Sequence, residues 1–354
     1  MKTYHAKRLF DGNKMHKNMY LTVQGTHIAS IESAEKSKRQ ADTELHGIVT
    51  AGFIDIQVNG GGGVLFNDEQ SPNALKTIMQ GHAKFGTTAM LPTLITDSNT
   101  KMQNAANAVS EVIADGTPGI VGLHFEGPHL SLPKKGIHAA EHVRPISDND
   151  LATMTRRDLG KVMVTLAPEN VPPDIITDLR KQGLTVFLGH SNADIDTVLG
   201  AIDAGAQGFT HLFNAMSGLT ARAPGMISAA LSDPRVYAGL IADLHHVHPY
   251  NCRLAYQCIG PERLVLVTDA MAHVGCDMQT LPWLDSVITK VGDRLSLEDG
   301  SLAGSCLDMA SAVRNMYGTL KDYSMPSKMA SKIANKKANK KPKNLLNDVL
   351  NMAS

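Results

Sequence analysis

The sequence has no apolar run long enough to cross a membrane and no excess of charge of either sign. A membrane-spanning helix needs about 20 consecutive apolar residues, whereas the apolar runs here are short and interrupted by polar residues or glycine. The 34 Lys and Arg residues match the 34 Asp and Glu residues, so the formal net charge is zero. Proteins that coat nucleic acid or anionic lipid carry an excess of basic charge. We therefore expect neither a nucleic acid nor a membrane as a partner.

Cysteine is also scarce, with four residues and no Cys-x-x-Cys spacing. This pattern favours reduced thiols over a disulfide framework. The charged N-terminal stretch MKTYHAKR is not followed by the apolar segment of a signal peptide. Together these observations predict a cytoplasmic protein. Hydrophobic residues make up 43% of the sequence and charged residues 19%, which predicts a folded chain with a large core.

Short apolar runs recur from residue 51 onward, and helix-like segments lie between most of them. The eight candidate strands are residues 52–56, 88–94, 120–125, 162–166, 184–188, 208–211, 236–241 and 264–267. Eight strands that alternate with helices predict an α/β fold, a (β/α)8 barrel of the TIM type. Runs this short can also be pieces of buried helix, so periodicity alone leaves that alternative open.

The two ends of the chain depart from this pattern. Residues 1–50 are β-rich, with two alternating runs around Gly25 that predict a hairpin. We assign residues 1–50 to a small β-sandwich domain and residues 51–316 to the barrel. Residues 317–354 contain eight Lys and two Asp, and the stretch 328–343 is almost devoid of apolar residues. We expect this Lys-rich tail to be disordered, and a solvated tail is favoured over a polyanion-binding arm.

Ionisable residues follow four of the predicted strands at the same end: Glu126, His190, His211 and Asp269. Barrel enzymes carry their catalytic groups at the C-terminal ends of the strands, so we expect these side chains to converge. Two imidazoles and a carboxylate can hold a catalytic divalent metal, and a further carboxylate can act as a base. Taken singly, each residue could instead cap a helix or stabilise a loop, but their coherent placement favours a site. His124, on the strand that ends in Glu126, is interpreted as structural rather than as a support for the metal ligands.

Several motifs in a consistent order carry a family resemblance. They are GFIDIQVNG (52–60), EGPH (126–129), KGIH (135–138), GHS (189–191), THLFNAM (210–216), APG (223–225), IAD (241–243) and VTDA (267–270). With this set, residues 1 to about 316 resemble the N-acetylglucosamine-6-phosphate deacetylase family of the amidohydrolase superfamily. The resemblance implies a hydrolase of a linear amide bond in amino-sugar catabolism. Its substrate would be the sugar phosphate N-acetyl-D-glucosamine 6-phosphate, and its products D-glucosamine 6-phosphate and acetate.

The resemblance also implies roles for individual residues. Glu126, His190 and His211 would bind one divalent metal ion, with zinc as the first candidate and iron, manganese, cobalt and nickel as others. Asp269 would act as general base and then as general acid, and His138 would polarise the acyl oxygen. The substrate-binding residues would be Ile137, His138, Asn214, Ala215, Arg222, Asp243, Leu244, His245, His246, Leu302, Ala303 and Gly304, with Arg222 and His246 at the phosphate. In relatives the arginine reaches in from a neighbouring subunit, which implies a homodimer.

Two features depart from the family's pattern. Many amidohydrolases carry His-x-His after the first barrel strand, but Gln57 and Asn59 occupy those positions here. Amides are weak ligands for Zn²⁺, so we expect a single tightly bound metal. The usual C-terminal ending of the family is missing, so we expect the small β-domain to be incomplete there, with a frameshift as one explanation. Two alternatives stay open: another amidohydrolase acting on a different acyl substrate, and an inactive barrel with a damaged C-terminus.

Overall fold

The structure, a computed structural model, describes residues 1–37, 39–324 and 345–354. Contacts between Cα atoms divide the chain into two units. Among the described residues, the first unit comprises 1–52, 345–352 and Ser354, and the second comprises 53–324 and Ala353. No helix in these described ranges is long and apolar enough to cross a membrane.

The first unit contains a four-stranded sheet. Its strands are β1 (Lys2–Phe10), β2 (Met15–Gln24), β3 (His27–Ser33) and β4 (Thr43–Leu45), in the spatial order β3-β2-β1-β4. β2 and β3 pair in antiparallel register across a tight turn at Gly25, whose φ of 59° suits glycine. The hairpin expected from the alternating runs is therefore confirmed. β4 joins the other edge of the sheet by pairing in parallel with β1.

The second unit is built around eight parallel strands. In chain order its strands are β5 (Phe53–Val58), β6 (Gly60–Gly61), β7 (Val64–Leu65), β8 (Thr87–Ile95), β9 (Gly122–Glu126), β10 (Lys161–Leu166), β11 (Thr185–Leu188), β12 (Gly208–Phe209), β13 (Tyr237–Ile241), β14 (Leu264–Val267), β15 (Thr280–Trp283), β16 (Ser286–Val291) and β17 (Arg294–Ser296). β5 and β8 to β14 form the parallel sheet in chain order. A parallel bridge between Val58 and Ala270 links its two ends, so the sheet is a nearly closed barrel. The expected barrel is confirmed, and each of its strands overlaps one of the eight apolar runs.

Helices separate the barrel strands. They are α1 (Pro72–Ala83), α2 (Asn99–Ala114), α3 (Asp148–Met154), α4 (Pro173–Lys181), α5 (Ile195–Asp203), α6 (Gly225–Ser232), α7 (Pro249–Ile259) and α8 (Met309–Ser324), and α9 (Leu345–Asn351) lies near the C-terminus. Serine side chains cap several of them: Ser71 accepts from the N–H of Ala74 at the start of α1, and Ser147 completes a capping box on α3. Because the barrel strands are parallel, the loops that follow them lie at one end of the barrel.

A second, antiparallel sheet of β15, β16 and β17 packs beside the strand ends. Its buried side chains Leu281, Trp283 and Ile288 share a hydrophobic cluster with Ile95 and Met271 of the barrel unit. The indole Nε1 of Trp283 donates to the backbone O of Ile137 at 3.1 Å. This sheet therefore fixes the loop that carries the KGIH motif, and antiparallel sheets are present as expected for a small β-domain.

The C-terminal stretch 317–354 differs from the expected disorder wherever it is described. α8 runs on to Ser324 because Met309, Met316 and Leu320 fall on one buried helical face. Residues 345–351 form α9, with Val349 and Leu350 buried. Apolar residues at helical spacing at both ends of the tail account for the difference. The Lys-rich stretch 328–343 lies outside the described residues.

Candidate active site

The four ionisable residues predicted at strand ends lie together at the C-terminal mouth of the barrel. Glu126 ends β9, while His190, His211 and Asp269 each follow a strand by two residues. Together with other side chains they line a cavity of about 200 Å³. The lining residues are Asn59, Ile95, Glu126, Gly136, Ile137, His138, His190, His211, Asn214, Ala215, Ile241, His246, Asp269, Leu302 and Gly304. The strand-end pattern therefore identified the centre of this cavity.

Three ligand-type atoms form a compact triangle at its base. Nε2 of His190 lies 3.2 Å from Oε1 of Glu126, and Nε2 of His211 lies 3.1 Å from the same oxygen. The two Nε2 atoms are 2.9 Å apart. Ligands at about 2.0–2.1 Å from a tetrahedral metal are themselves about 3.3 Å apart. The triangle is thus close to the size that a bound divalent metal requires.

The hydrogen bonds around the triangle are also those expected of a metal site. Nδ1 of His190 lies 2.9 Å from the backbone O of Lys134, so a hydrogen on Nδ1 can be donated to that carbonyl, and Nε2 is the nitrogen that faces Glu126 and is placed to bind a metal. Metal-binding histidines usually donate the hydrogen of their second ring nitrogen to a carbonyl, carboxylate or water. Nδ1 of His211 is buried without a partner in the described part of the chain. The donor set and its surroundings fit a divalent metal.

The charge of Glu126 agrees with this interpretation. Burial by itself raises the pKa of this carboxyl, but the hydrogen bonds and charges of His190 and His211 outweigh it and hold the pKa well below its usual range. Burial lowers the pKa of His211, yet the contact with Glu126 gives a net rise. Glu126 is therefore ionised at neutral pH, which is the form that binds a cation.

His138 belongs to a wider group, since candidate ligand atoms of Glu126, His138 and His190 all lie within 4.8 Å of one another. Its Nδ1 accepts from the N–H of Thr96 at 3.3 Å and lies 2.8 Å from Thr96 Oγ1. Because Nδ1 is an acceptor, the ring hydrogen is on Nε2. Burial, followed by the charge of His190, holds the pKa of His138 well below its usual range, so the ring is neutral. His211 also fits the third ligand position, since its Nε2 lies 3.1 Å from Oε1 of Glu126 and 2.9 Å from Nε2 of His190.

Asp269 lies beside the triangle and is held by two side-chain amides. Its Oδ1 accepts from Nδ2 of Asn59 at 2.7 Å and from Nε2 of Gln57 at 3.2 Å. Burial, followed by the negative charge of Glu126, raises the pKa of Asp269 to about 6. A carboxylate with a pKa near neutrality can both take up and release a proton.

The backbone at the site is unusual. His190, His211 and Asp269 have φ values of 47°, 33° and 53°, and Ala215 in the neighbouring loop has 50°. Residues other than glycine seldom adopt this left-handed region, which costs roughly 1–3 kcal/mol per residue. Three of the four central side chains therefore project from strained positions immediately after their strands.

The remaining predicted residues fall into two groups. Ile137, Asn214, Ala215, His246, Leu302 and Gly304 line the cavity. Asp243 lies behind His246, whose Nδ1 is 2.6 Å from Asp243 Oδ2. The backbone N–H of Asn214 donates to the O of His211 at 3.0 Å, so this group is already used within the protein.

Besides Asp243, four predicted residues are not among the described residues that line the cavity. Arg222 is exposed on the turn between Thr220 and Ala223. His245 pairs with Asp293 at 2.8 Å, and Ala303 is buried in the cluster beneath the β15–β17 sheet. Leu244 has a left-handed backbone with φ of 67°. Strand-end and motif reasoning did not separate these neighbours from the residues that face the cavity.

Sequence reasoning missed Ile95, Gly136 and Ile241 as lining residues, and treated Asn59 only as a replaced metal ligand. Ile95 and Ile241 are the last residues of β8 and β13. The rule that directed attention to Glu126 would have found them, but apolar side chains at strand ends carry no chemical signal of their own.

His124 lies inside the barrel below the site. Its Nδ1 is 3.1 Å from the O of Ile56, and its Nε2 is 2.8 Å from Thr165 Oγ1. Burial lowers the pKa of His124 to about 4, so the ring is neutral. Both ring nitrogens thus have partners within the barrel interior.

Comparison with known proteins gives a consistent result. A sequence profile described as "Amidohydrolase family" matches residues 48–354. An N-acetylgalactosamine-6-phosphate deacetylase from Shewanella sp. (strain ANA-3) is 48% identical over 313 residues, which cover 87% of this chain and 79% of that protein. An N-acetylglucosamine-6-phosphate deacetylase from Haemophilus influenzae is 35% identical over 275 residues, covering 75% and 70%. The crystal structure of N-acetylglucosamine-6-phosphate deacetylase from Pasteurella multocida matches with a TM-score of 0.86 and 32% identity, covering 99% of this chain and 87% of that one.

Proposed function

The chain belongs to the amidohydrolase family, and from this we propose that it hydrolyses the acetamido group of an N-acetylhexosamine 6-phosphate to acetate and the amino-sugar 6-phosphate. The observation that carries the proposal is the convergence of Glu126, His190, His211 and Asp269 on one cavity. An amide is a poor electrophile, and this set supplies both a cation site and a proton carrier. The names of the relatives support the substrate class.

The residues divide the chemistry between them. When held by Glu126, His190 and His211, one divalent metal, with zinc as the first candidate, supplies Lewis acidity and makes water nucleophilic near neutral pH. Asp269 takes a proton from the attacking water and returns it to the amine nitrogen as the C–N bond breaks. The Nε2–H of His138 can donate to the acyl oxygen, because its Nδ1 is engaged by Thr96.

The sugar phosphate is assigned to the outer part of the cavity. His246, oriented by Asp243, and the N–H of Ala215 are available to hold the sugar and its phosphate. Arg222 of this chain is exposed and does not line its own cavity, which supports a homodimer in which Arg222 of a second copy completes the phosphate site. A cytoplasmic location is consistent with four free cysteines.

The hexosamine has two candidates that differ only in the configuration at C4. The glucosamine derivative follows from the sequence motifs, whereas the 48%-identical relative is named for the galactosamine derivative. Acetate release by the Zn²⁺-loaded protein should be measured with N-acetylglucosamine 6-phosphate, N-acetylgalactosamine 6-phosphate and unphosphorylated N-acetylglucosamine. The larger kcat/KM among the two phosphates identifies the substrate.

The same assay tests the two alternative functions. Equal activity with and without the phosphate would favour another amidohydrolase acting on a different acyl compound. No acetate from either phosphate, with one equivalent of metal bound, would favour an inactive barrel and overturn the proposal.

A further inference from the structure

Two buried amide side chains, Gln57 and Asn59, occupy the end of β5 beside the acidic groups of the site. Nε2 of Gln57 lies 3.1 Å from both carboxylate oxygens of Glu126 and 3.2 Å from Oδ1 of Asp269. Nδ2 of Asn59 lies 2.7 Å from the same Oδ1. Both side chains are at most 2% exposed. One oxygen of Asp269 therefore receives two amide donors.

The other oxygen of Asp269 receives none from the described residues. Since Asp269 lines the cavity, its Oδ2 is open to a bound substrate and water. We propose that Gln57 and Asn59 are positioning residues, which hold Asp269 by Oδ1 so that Oδ2 is the atom that accepts and returns the proton. The inference rests on the proposed deacetylase function and adds an atomic assignment to it.

An amide is well suited to this place. The NH₂ group of Gln57 has two hydrogens, so it can donate to Glu126 and to Asp269 at the same time. The amide carries no charge and does not take up a proton. Gln57 can therefore remain hydrogen-bonded between Glu126 and Asp269 whether or not Asp269 is protonated. A histidine nitrogen offers only one hydrogen. Gln57 and Asn59, which stand where many amidohydrolases have His-x-His, thus hold Asp269 in place. This role is separate from their effect on how many metal ions the site can bind.

The backbone keeps the amides in register with Asp269. The N–H of Asp269 donates to the O of Gln57 at 2.9 Å, and the N–H of Asn59 donates to the O of Ala270 at 2.9 Å. These bonds join the end of β5 to the segment after β14, where the barrel closes. The distance between the amides and the carboxylate is therefore set by the fold and not by a flexible loop.

The two residues differ in what they touch, and this difference gives the test. Asn59 reaches Asp269 but not Glu126, whereas Gln57 reaches both. Asn59→Leu should lower kcat on the order of 10- to 100-fold, with KM and the Zn²⁺ dissociation constant within about twofold of wild type. Gln57→Met should lower kcat similarly and also weaken Zn²⁺ binding about tenfold, because a ligand loses its hydrogen bonds.

Steady-state kinetics and competition of the protein with a chelator for Zn²⁺ provide the two readouts. Gln70→Met is the matched control, since Nε2 of Gln70 donates to the O of Phe66 and of Asn67 away from the cavity, and it should leave both readouts unchanged. Thermal melts check folding, and Asn59→Ala serves if Asn59→Leu does not fold.

The outcomes separate the two proposals. If wild type is active and Asn59→Leu keeps kcat within about threefold, only the positioning role fails. A rise in KM or in the Zn²⁺ dissociation constant of Asn59→Leu, with kcat unchanged, would also overturn it. If wild type releases no acetate from either sugar phosphate, the proposed function fails and the positioning role falls with it.

Discussion

The carboxyl group of Asp55 is fully buried where the first and last barrel strands meet. Its Oδ2 accepts from Thr268 Oγ1 at 2.5 Å, and its Oδ1 accepts from the N–H groups of Gln57 and Thr268 at 3.2 and 3.3 Å. Burial raises the pKa of Asp55 and these hydrogen bonds offset only part of the rise, so the pKa is about 7 instead of 3.8. The folded protein therefore keeps a proton on Asp55 that the unfolded chain loses.

This difference makes stability depend on pH with a definite sign. Because the folded pKa is the higher one, the contribution of Asp55 is complete below pH 3.8 and is lost as the pH rises through about 7. A pKa difference of about 3 units corresponds to about 4 kcal/mol in the free energy of unfolding. Between pH 5 and pH 7 the loss should be about 2 kcal/mol.

Asp55→Asn should remove this dependence without breaking the network. The variant keeps an Oδ1 for the two N–H groups, and its Nδ2 can donate to Thr268 Oγ1. That hydroxyl can then turn to the O of Gln57, 3.4 Å away. Relative to wild type, the free energy of unfolding of the variant should rise by about 2 kcal/mol from pH 5 to pH 7, measured by urea unfolding of the Zn²⁺-loaded proteins.

Asp55→Leu is the control for the hydrogen bonds themselves. It removes the carboxyl oxygen that accepts from the two buried N–H groups of Gln57 and Thr268, so it should destabilise the protein at every pH. If the difference between Asp55→Asn and wild type is the same at pH 5 and pH 7, the reasoning from burial is refuted.

Three further outcomes are expected. Asp269→Asn should lower kcat by about 10²–10⁴-fold, because asparagine cannot accept the proton of water. Elemental analysis should still find about one metal per chain, and near-normal turnover would exclude Asp269 from the reaction. Arg222→Ala should lower kcat/KM for the phosphorylated substrate by roughly 30-fold or more, and an unchanged preference for phosphorylated over unphosphorylated sugar would exclude it from phosphate binding. Deletion of residues 345–354 should lower the melting temperature, since Val349 and Leu350 are buried, and an unchanged melt would show that α9 adds no stability.

The barrel strands could be predicted because strands covered on both faces appear as short apolar runs with turn residues at their ends. Even β12, which is only Gly208–Phe209, lay inside such a run. The helices α3 and α6, of seven and eight residues, are too short to show a clear helical period in the sequence.

Within the site, polar strand-end residues could be predicted from their chemistry and apolar ones could not. Glu126 and His211 are unusual at buried positions, whereas Ile241 is unremarkable in any strand. The direction in which a loop residue points is also invisible in a one-dimensional pattern, which is why Asp243 and His246 were assigned the same role although Asp243 lies behind His246. Likewise, the bonds from Gln57 and Asn59 to Asp269 join residues more than 200 positions apart.

The left-handed backbone at His190, His211 and Asp269 has a consequence for how this protein can evolve. Glycine adopts such φ values at no steric cost, so at these positions the residue best for stability differs from the residue needed for chemistry. Selection for thermostability alone would tend to erase the site one residue at a time, giving robust barrels that no longer turn over substrate. Any programme of directed evolution on this scaffold should therefore screen for activity in every round.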